Sequence, residues 1–166
     1  MRRPSALLGS FVFLVVAPGF IAGVAPWWIS QWKMRTPFLG TGVSRYLGVV
    51  LILLGAPILL DCFGRFALQG FGTPAPIAPP TRLVVTGLYR YVRNPMYVGV
   101  CALIFGQAFL LGDTRLIEYG LLVWVAFHLW VLAYEEPTLR SSFPEDYSEY
   151  CRNVSRWIPR LHPWMK

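Results

Sequence analysis

The amino-acid sequence predicts an all-α integral membrane protein: a helical bundle of about four transmembrane helices with an interfacial C-terminal helix. Three observations lead there. Of the 166 residues, 55% are hydrophobic and only 14% charged, too apolar for an ordinary soluble domain. Long runs without charge recur along the chain, approaching the ~20 residues that a membrane helix needs. Between the runs lie clusters of Trp, Tyr and Arg, residue types that gather at the membrane–water boundary. The net charge of +7 therefore calls for no nucleic acid, since basic residues collect beside membrane helices on their cytoplasmic side.

The first predicted span is residues 7–29, which carry no charge over 23 positions. Arg2 and Arg3 precede it as in a signal peptide, but the run exceeds the 7–15 residues of a signal core. A retained helix is expected. Pro18 and Pro26 are candidates to kink or end it, and Gly19 with Gly23 forms a small-xxx-small pair for close helix contact. Trp27, Trp28 and Trp32 read as an interfacial belt. Residues 31–44 form a short polar loop. The second span is 46–60, extending as far as 68, with Asp61 and Arg65 at helical i, i+4 spacing near its end. Ionisable groups at membrane depth are costly and usually paired, so this pair is read as structural. Residues 69–80, rich in Gly and Pro, are predicted as an extended loop.

The third span is residues 96–111, the fourth 116–134, with a tight turn at Gly112-Asp113-Thr114 between them. Glu135-Glu136-Pro137 is expected to end the fourth, because Pro disfavours helical geometry at the residue before it. Residues 143–150 suit a short amphipathic helix starting at Pro144. Arg152, Arg156 and Arg160, with Trp157 and Trp164 among them, suit an interfacial tail. Neither a repeat nor a second domain is visible, so residues 1–166 read as one domain. Four spans put 11 of the 15 Lys and Arg on the side that holds both termini. The positive-inside rule makes that side cytoplasmic.

The stretch 87–99, GLYRYVRNPMYVG, carries the densest chemistry. Asn94 is a preferred N-cap, and Pro95 is tolerated at the first helical position. The stretch therefore reads as a surface loop that enters the mouth of the third span, where free backbone N–H groups favour an anionic ligand group. An interfacial anchor is the plainer reading of the same Tyr and Arg residues. The end of the fourth span brings Glu135 and Glu136 to the same face. A ligand with an anionic and a cationic end fits between the two. Adjacent glutamates point different ways, so at most one faces it. The three cysteines form no C-x-x-C pair, and His128 and His162 lie far apart, which speaks against a metal site or a disulfide framework.

GLYRYVRNPMYVG, then EEPTLRSSFPEDYSEY and RWIPR, resemble the isoprenylcysteine carboxyl methyltransferase family, whose wider group includes the phospholipid N-methyltransferases. The resemblance covers roughly residues 81–160. It implies a membrane enzyme that uses S-adenosylmethionine at its cytoplasmic face. The family's cofactor positions fall on Thr81, Arg82, Leu83 and Val84, on Tyr89, on Asn94, Pro95, Met96 and Tyr97, and on Glu135. The family usually has His where this chain has Asn94, which cannot take up a proton at neutral pH. The prenylcysteine enzymes also place an Arg one turn before the first glutamate to hold the substrate carboxylate; here Val131 stands there. His128, two turns before Glu135, is a candidate to replace it, although a lone His on an apolar helix is more often a packing residue. His128 and Arg93 are the candidates for a catalytic role. The expected acceptor is lipophilic and enters from the bilayer. The rival readings are N-methylation of a phospholipid or another lipophilic amine, and a non-enzymatic membrane protein on the same scaffold.

Overall fold

A computed structural model describes residues 12, 14–69 and 83–165, with backbone only for 66–69. The described residues are helical and contain no strand. Five helices organise them: α1, Leu14–Ser30; α2, Val43–Gln69; α3, Pro95–Leu111; α4, Thr114–Ser142; and α5, Pro144–Asn153. Short 3₁₀ turns at Phe38–Gly40 and Gly87–Arg90 punctuate the connections. Two helical stretches, Val43–Arg65 and Thr114–Ser142, are long and apolar enough to cross a membrane, while Leu14–Ser30 and Pro95–Leu111 are shorter apolar helices. The predicted loop at 69–80 lies outside the described residues apart from Gln69, which ends α2.

α3 is the central helix. It buries Val100, Ile104 and Ala108, and it runs antiparallel against α2. The close approach is made by glycines. A Cβ at Gly48 would stand 2.5 Å from the Leu110 backbone nitrogen, and one at Gly106 would stand 2.9 Å from the Gly48 carbonyl. Two turns away Gly55 meets Gly99 in the same manner, 2.9 Å from its carbonyl. Among the described residues the expected contact through Gly19 and Gly23 is not made: a Cβ at Gly23 would meet nothing within 4 Å, and one at Gly19 only the Leu14 carbonyl of its own helix. Small residues bring helix backbones together, but here the pairs sit seven residues apart on α2 and α3.

Pro137 does not end its helix as expected, and α1 runs on through Pro18 and Pro26. Pro26 and Pro137 share one feature. Each is preceded by a π-turn, Phe20–Val24 and Val131–Glu135, which widens the helix by one residue before the proline ring. A helical proline clashes with the carbonyl four residues back and offers that turn no N–H; a π-turn is a known way to absorb such a defect. The carbonyls left without backbone donors are met by side chains. The Gln107 amide donates to the Ala22 carbonyl at 2.7 Å, and the Tyr119 hydroxyl to the Ile21 carbonyl at 2.9 Å. These two bonds tie α1 to α3 and α4. At the opposite end of the bundle from Glu135, buried Asp113 caps α4 by accepting from the Arg115 backbone N–H, and pairs with the guanidinium groups of Arg35 and Arg115.

The Asp61–Arg65 pair forms as expected, with both carboxylate oxygens bound at 2.7 and 2.8 Å. The Arg65 guanidinium lies against Gly87, where φ is +54° and a Cβ would collide with it. Only glycine meets both demands.

Candidate site at the head of α3 and the π-turn of α4

α3 begins with Pro95 at its first position, as the sequence predicts. Asn94 occupies the cap position, but its side chain makes no capping bond. Its amide instead donates to the Arg156 carbonyl at 3.2 Å. The chain after α5 explains this. It folds back across the loop before α3, with Arg93 N–H bonded to the Ser155 carbonyl, Arg160 N–H to Tyr91, and Trp164 N–H to Arg90. The first-turn N–H groups of α3 thus keep no side-chain cap, and such groups favour an anionic ligand group.

Because of the π-turn, Glu135 and Glu136 lie within α4 rather than at a solvated helix end. They point to different partners. Glu136 is a clamp: both its oxygens accept from Arg156, at 2.6 and 3.0 Å, and Arg93 approaches one of them at 3.3 Å. Side-chain exposure is 12% for Glu136 and 11% for Arg93, so the pair is largely out of water. Arg93 also donates to the Tyr147 hydroxyl and the Cys151 sulfur, binding α5 to the same knot, and its Nε has no hydrogen-bond partner among the described residues. Glu135 faces the other way. Its carboxylate accepts from the Tyr97 hydroxyl at 2.8 Å, and among the described residues no cation pairs with it.

An aromatic wall stands beside that bond. The Tyr97 ring packs on Phe127 at 4.6 Å and faces Trp157 of the tail at 6.4 Å. Trp157 in turn donates its indole N–H to His128 Nδ1 at 3.0 Å, and His128 stacks on Trp124. Val131, the position of the expected arginine substitution, is 1% exposed.

The structure brings Asn94, Pro95, Met96, Tyr97, Glu135, Arg93 and His128 to one end of the α3–α4 pair. Met96 packs against two core clusters, that of Val100 and Ile104 and that of Cys62, Val84 and Tyr89. Tyr89 is buried with Val84 and Cys62, and its carbonyl accepts from the Tyr150 hydroxyl at 2.6 Å. Burial pushes the Tyr150 hydroxyl well above its ordinary value, so it stays a donor. Leu83 packs on the Tyr147–Tyr150–Val154 cluster. These residues form a wall between α2 and α5. Thr81 and Arg82 lie outside the described residues. Among the described residues no group of three or more His, Cys, Asp or Glu gathers in metal-binding fashion. The sequence reading missed the Glu136–Arg156 clamp and the Trp157–His128 bond. Both partners lie in the tail, where Arg and Trp were read as membrane anchors.

Comparison with known proteins adds to this geometry. The protein-S-isoprenylcysteine O-methyltransferase of Schizosaccharomyces pombe is 36% identical over 80 residues, which is 48% of this chain and 34% of that protein. The match thus spans about a third of the length of that curated relative. No solved structure matches. A family model described as phospholipid methyltransferase matches residues 43–146, a stretch that runs from the start of α2 through α3 and α4 and contains both Tyr97 and Glu135. The chain belongs to the phospholipid methyltransferase family.

Proposed function

We propose that this chain is a multi-pass membrane methyltransferase that uses S-adenosylmethionine to methylate a lipophilic acceptor, in the manner of the isoprenylcysteine carboxyl O-methyltransferases. The observation that carries this is the Tyr97–Glu135 pair: a carboxylate held by a hydroxyl, with no cation paired to it among the described residues, next to a helix N-terminus whose Asn94 makes no side-chain cap.

The residues fit that cofactor. Its methionyl end carries an ammonium and a carboxylate. Glu135 suits the ammonium, and the first-turn N–H groups of α3 suit the carboxylate. When bound, the cofactor supplies an electrophilic methyl group on a sulfonium. The chain's own part is placement. Tyr97 fixes the Glu135 carboxylate, the tail closes over the α3 entrance through Asn94 and Arg156, and Glu136 with Arg93 holds the tail there. Alignment of this kind supplies much of the barrier reduction in a simple displacement. Arg93 is assigned to this clamp rather than to the acceptor.

Four membrane spans are part of the same reading. α1 and α3, at 17 described residues each, are about 25 Å long, somewhat short of a ~30 Å hydrocarbon core. α2 and α4 turn Leu53, Leu54, Leu121 and Leu122 outward, which suits contact with lipid. Both termini are assigned to the cytoplasm by the 11-to-4 distribution of basic residues.

The family match favours a second acceptor class, a lipid amine. The deciding experiment is transfer of labelled methyl from S-adenosylmethionine into a membrane lipid extract by detergent-purified protein. Label released as methanol in mild base marks a carboxyl ester; base-stable label marks an N-methyl product. No incorporation, together with no calorimetric binding of the cofactor, would overturn the reading.

A further inference from the structure

We infer that Trp157 is a positioning residue that fixes the His128 imidazole with its proton on Nε2, so that His128 serves as a hydrogen-bond donor to an oxygen of the methyl acceptor and not as a base. The inference rests on the methyltransferase reading for the acceptor, but its first half stands on geometry alone.

The indole N–H of Trp157 lies 3.0 Å from His128 Nδ1. Indole nitrogen is a donor and has no acceptor capacity. Nδ1 must therefore be the bare nitrogen, and in a neutral ring the proton then sits on Nε2. Protonating Nδ1 would set N–H against N–H. The ring is held in plane by its stack on Trp124, with centroids 5.5 Å apart and planes 18° apart. Trp157 is itself anchored, because neighbouring Arg156 is bound to Glu136 and gives its carbonyl to Asn94.

The position suits acceptor recognition. The Trp157 ring spans from His128 to Tyr97, with centroid distances of 5.9 and 6.4 Å, and Tyr97 holds Glu135. His128 thus borders the same wall as Glu135, the carboxylate proposed to hold the cofactor ammonium. The nearer position on α4, Val131, is fully buried and offers the site no polar group. A neutral Nε2–H donor matches a carboxylate or carbonyl oxygen. It cannot accept a proton from an ammonium at that nitrogen.

The test is nitrogen NMR on ¹⁵N-histidine protein in detergent micelles at pH 8, using His162→Gln so that His128 gives the only imidazole signals. Couplings from the ring carbons' protons assign which nitrogen is bare. A bare Nδ1 is expected, with Trp157→Phe in the same background giving a mixture of tautomers. A bare Nε2, or a Trp157→Phe ring unchanged from its parent, overturns the positioning role. The donor role is read in the same sample by adding lauric acid or dodecylamine. A shift of the Nε2–H signal with the carboxylate and not the amine is expected; a shift with the amine alone, or with neither, overturns it. Calorimetry with S-adenosylmethionine on the same preparation separates the two ideas. Absence of heat, together with no methyl incorporation, sinks the methyltransferase reading while the tautomer result still stands or falls by itself.

Discussion

Glu135 and Glu136 are neighbours in sequence with the same chemistry, yet the structure gives them different partners, and replacing each by Gln separates the clamp from the proposed cofactor contact. Glu136→Gln removes the counter-charge of Arg93, whose side chain is only 11% exposed, and of Arg156, which is 31% exposed. Breaking a buried pair by removing one partner costs about 3–5 kcal/mol. Arg156 can turn to water, so the low end applies, about 3 kcal/mol. At about 2–4 °C per kcal/mol for a chain of this size, the melting temperature should fall by about 6–12 °C. Glu135→Gln keeps an oxygen acceptor for the Tyr97 hydroxyl and strands no cation among the described residues. Its cost is the difference between a charged and a neutral hydrogen bond, about 1 kcal/mol. Cofactor binding should respond the other way round. Loss of a charge-assisted contact to the cofactor ammonium costs about 1.5–3 kcal/mol, or about ten- to a hundredfold in Kd. Calorimetry with S-adenosylhomocysteine, paired with thermal melts of the same preparations, reads both quantities. If both variants melt with the wild type and lose affinity equally, the division of labour at the α4 π-turn is wrong.

Three further outcomes follow from particular contacts. Gly48→Ala should lower the melting temperature markedly, since its Cβ would meet Leu110 backbone at 2.5 Å and overpacking costs about 1–3 kcal/mol, whereas Gly23→Ala, with nothing within 4 Å, should be neutral; equal melts would contradict the α2–α3 packing. Asp113 is held below the usual carboxylate range chiefly by hydrogen bonds from Arg115. A depressed carboxyl stabilises fully above its unfolded value of about 3.9 and loses that contribution as pH falls through the folded one; melts of wild type and Asp113→Asn should therefore stay apart at neutral pH, begin to approach each other as pH falls below about 4, and meet only below the lowered folded value. Finally, a cysteine placed at Lys166 in a background lacking Cys62, Cys101 and Cys151 should resist a membrane-impermeant maleimide applied to intact cells and react after permeabilisation; labelling of intact cells would reverse the proposed orientation.

Much of the fold was legible because apolar runs and cap signals are local. The start of α3 at Pro95, its end at Leu111, the Asp61–Arg65 pair and the start of α5 at Pro144 all agree with the sequence reading. The π-turns were not legible. A proline in a helix pattern reads as a stop, and nothing local announces that Gln107 or Tyr119, 85 and 98 residues from their partners in α1, supply the missing donors. The helix-contact glycines were misassigned for a related reason. Gly19 and Gly23 have a recognised spacing, but Gly48, Gly55, Gly99 and Gly106 matter only because two distant helices align them. At the candidate site, the juxtaposition of the α3 entrance with the end of the fourth span follows from a helical hairpin. What the tail does there does not, because pairing of Arg156 and Trp157 is a tertiary fact.

The same π-turn also decides which way Val131 faces, the position where the prenylcysteine enzymes are expected to carry an arginine. In a regular helix, the residue four before Glu135 lies on the same face, and Val131 would look into the site. The extra residue of the Val131–Glu135 turn shifts that register, and the Glu136 N–H bonds back to the Val131 carbonyl five residues away. Val131 is turned into the protein, at 1% exposure. An arginine there would bury its charge in the core, where desolvation costs several kcal/mol unless a partner is in place. Val131 is thus a packing residue required by the turn, and its loss of charge relative to the prenylcysteine enzymes is not a simple deletion from an otherwise unchanged pocket. In the proposed reading, recognition of an acceptor oxygen falls instead to His128, one turn along α4, whose ring is bonded by Trp157 of the tail.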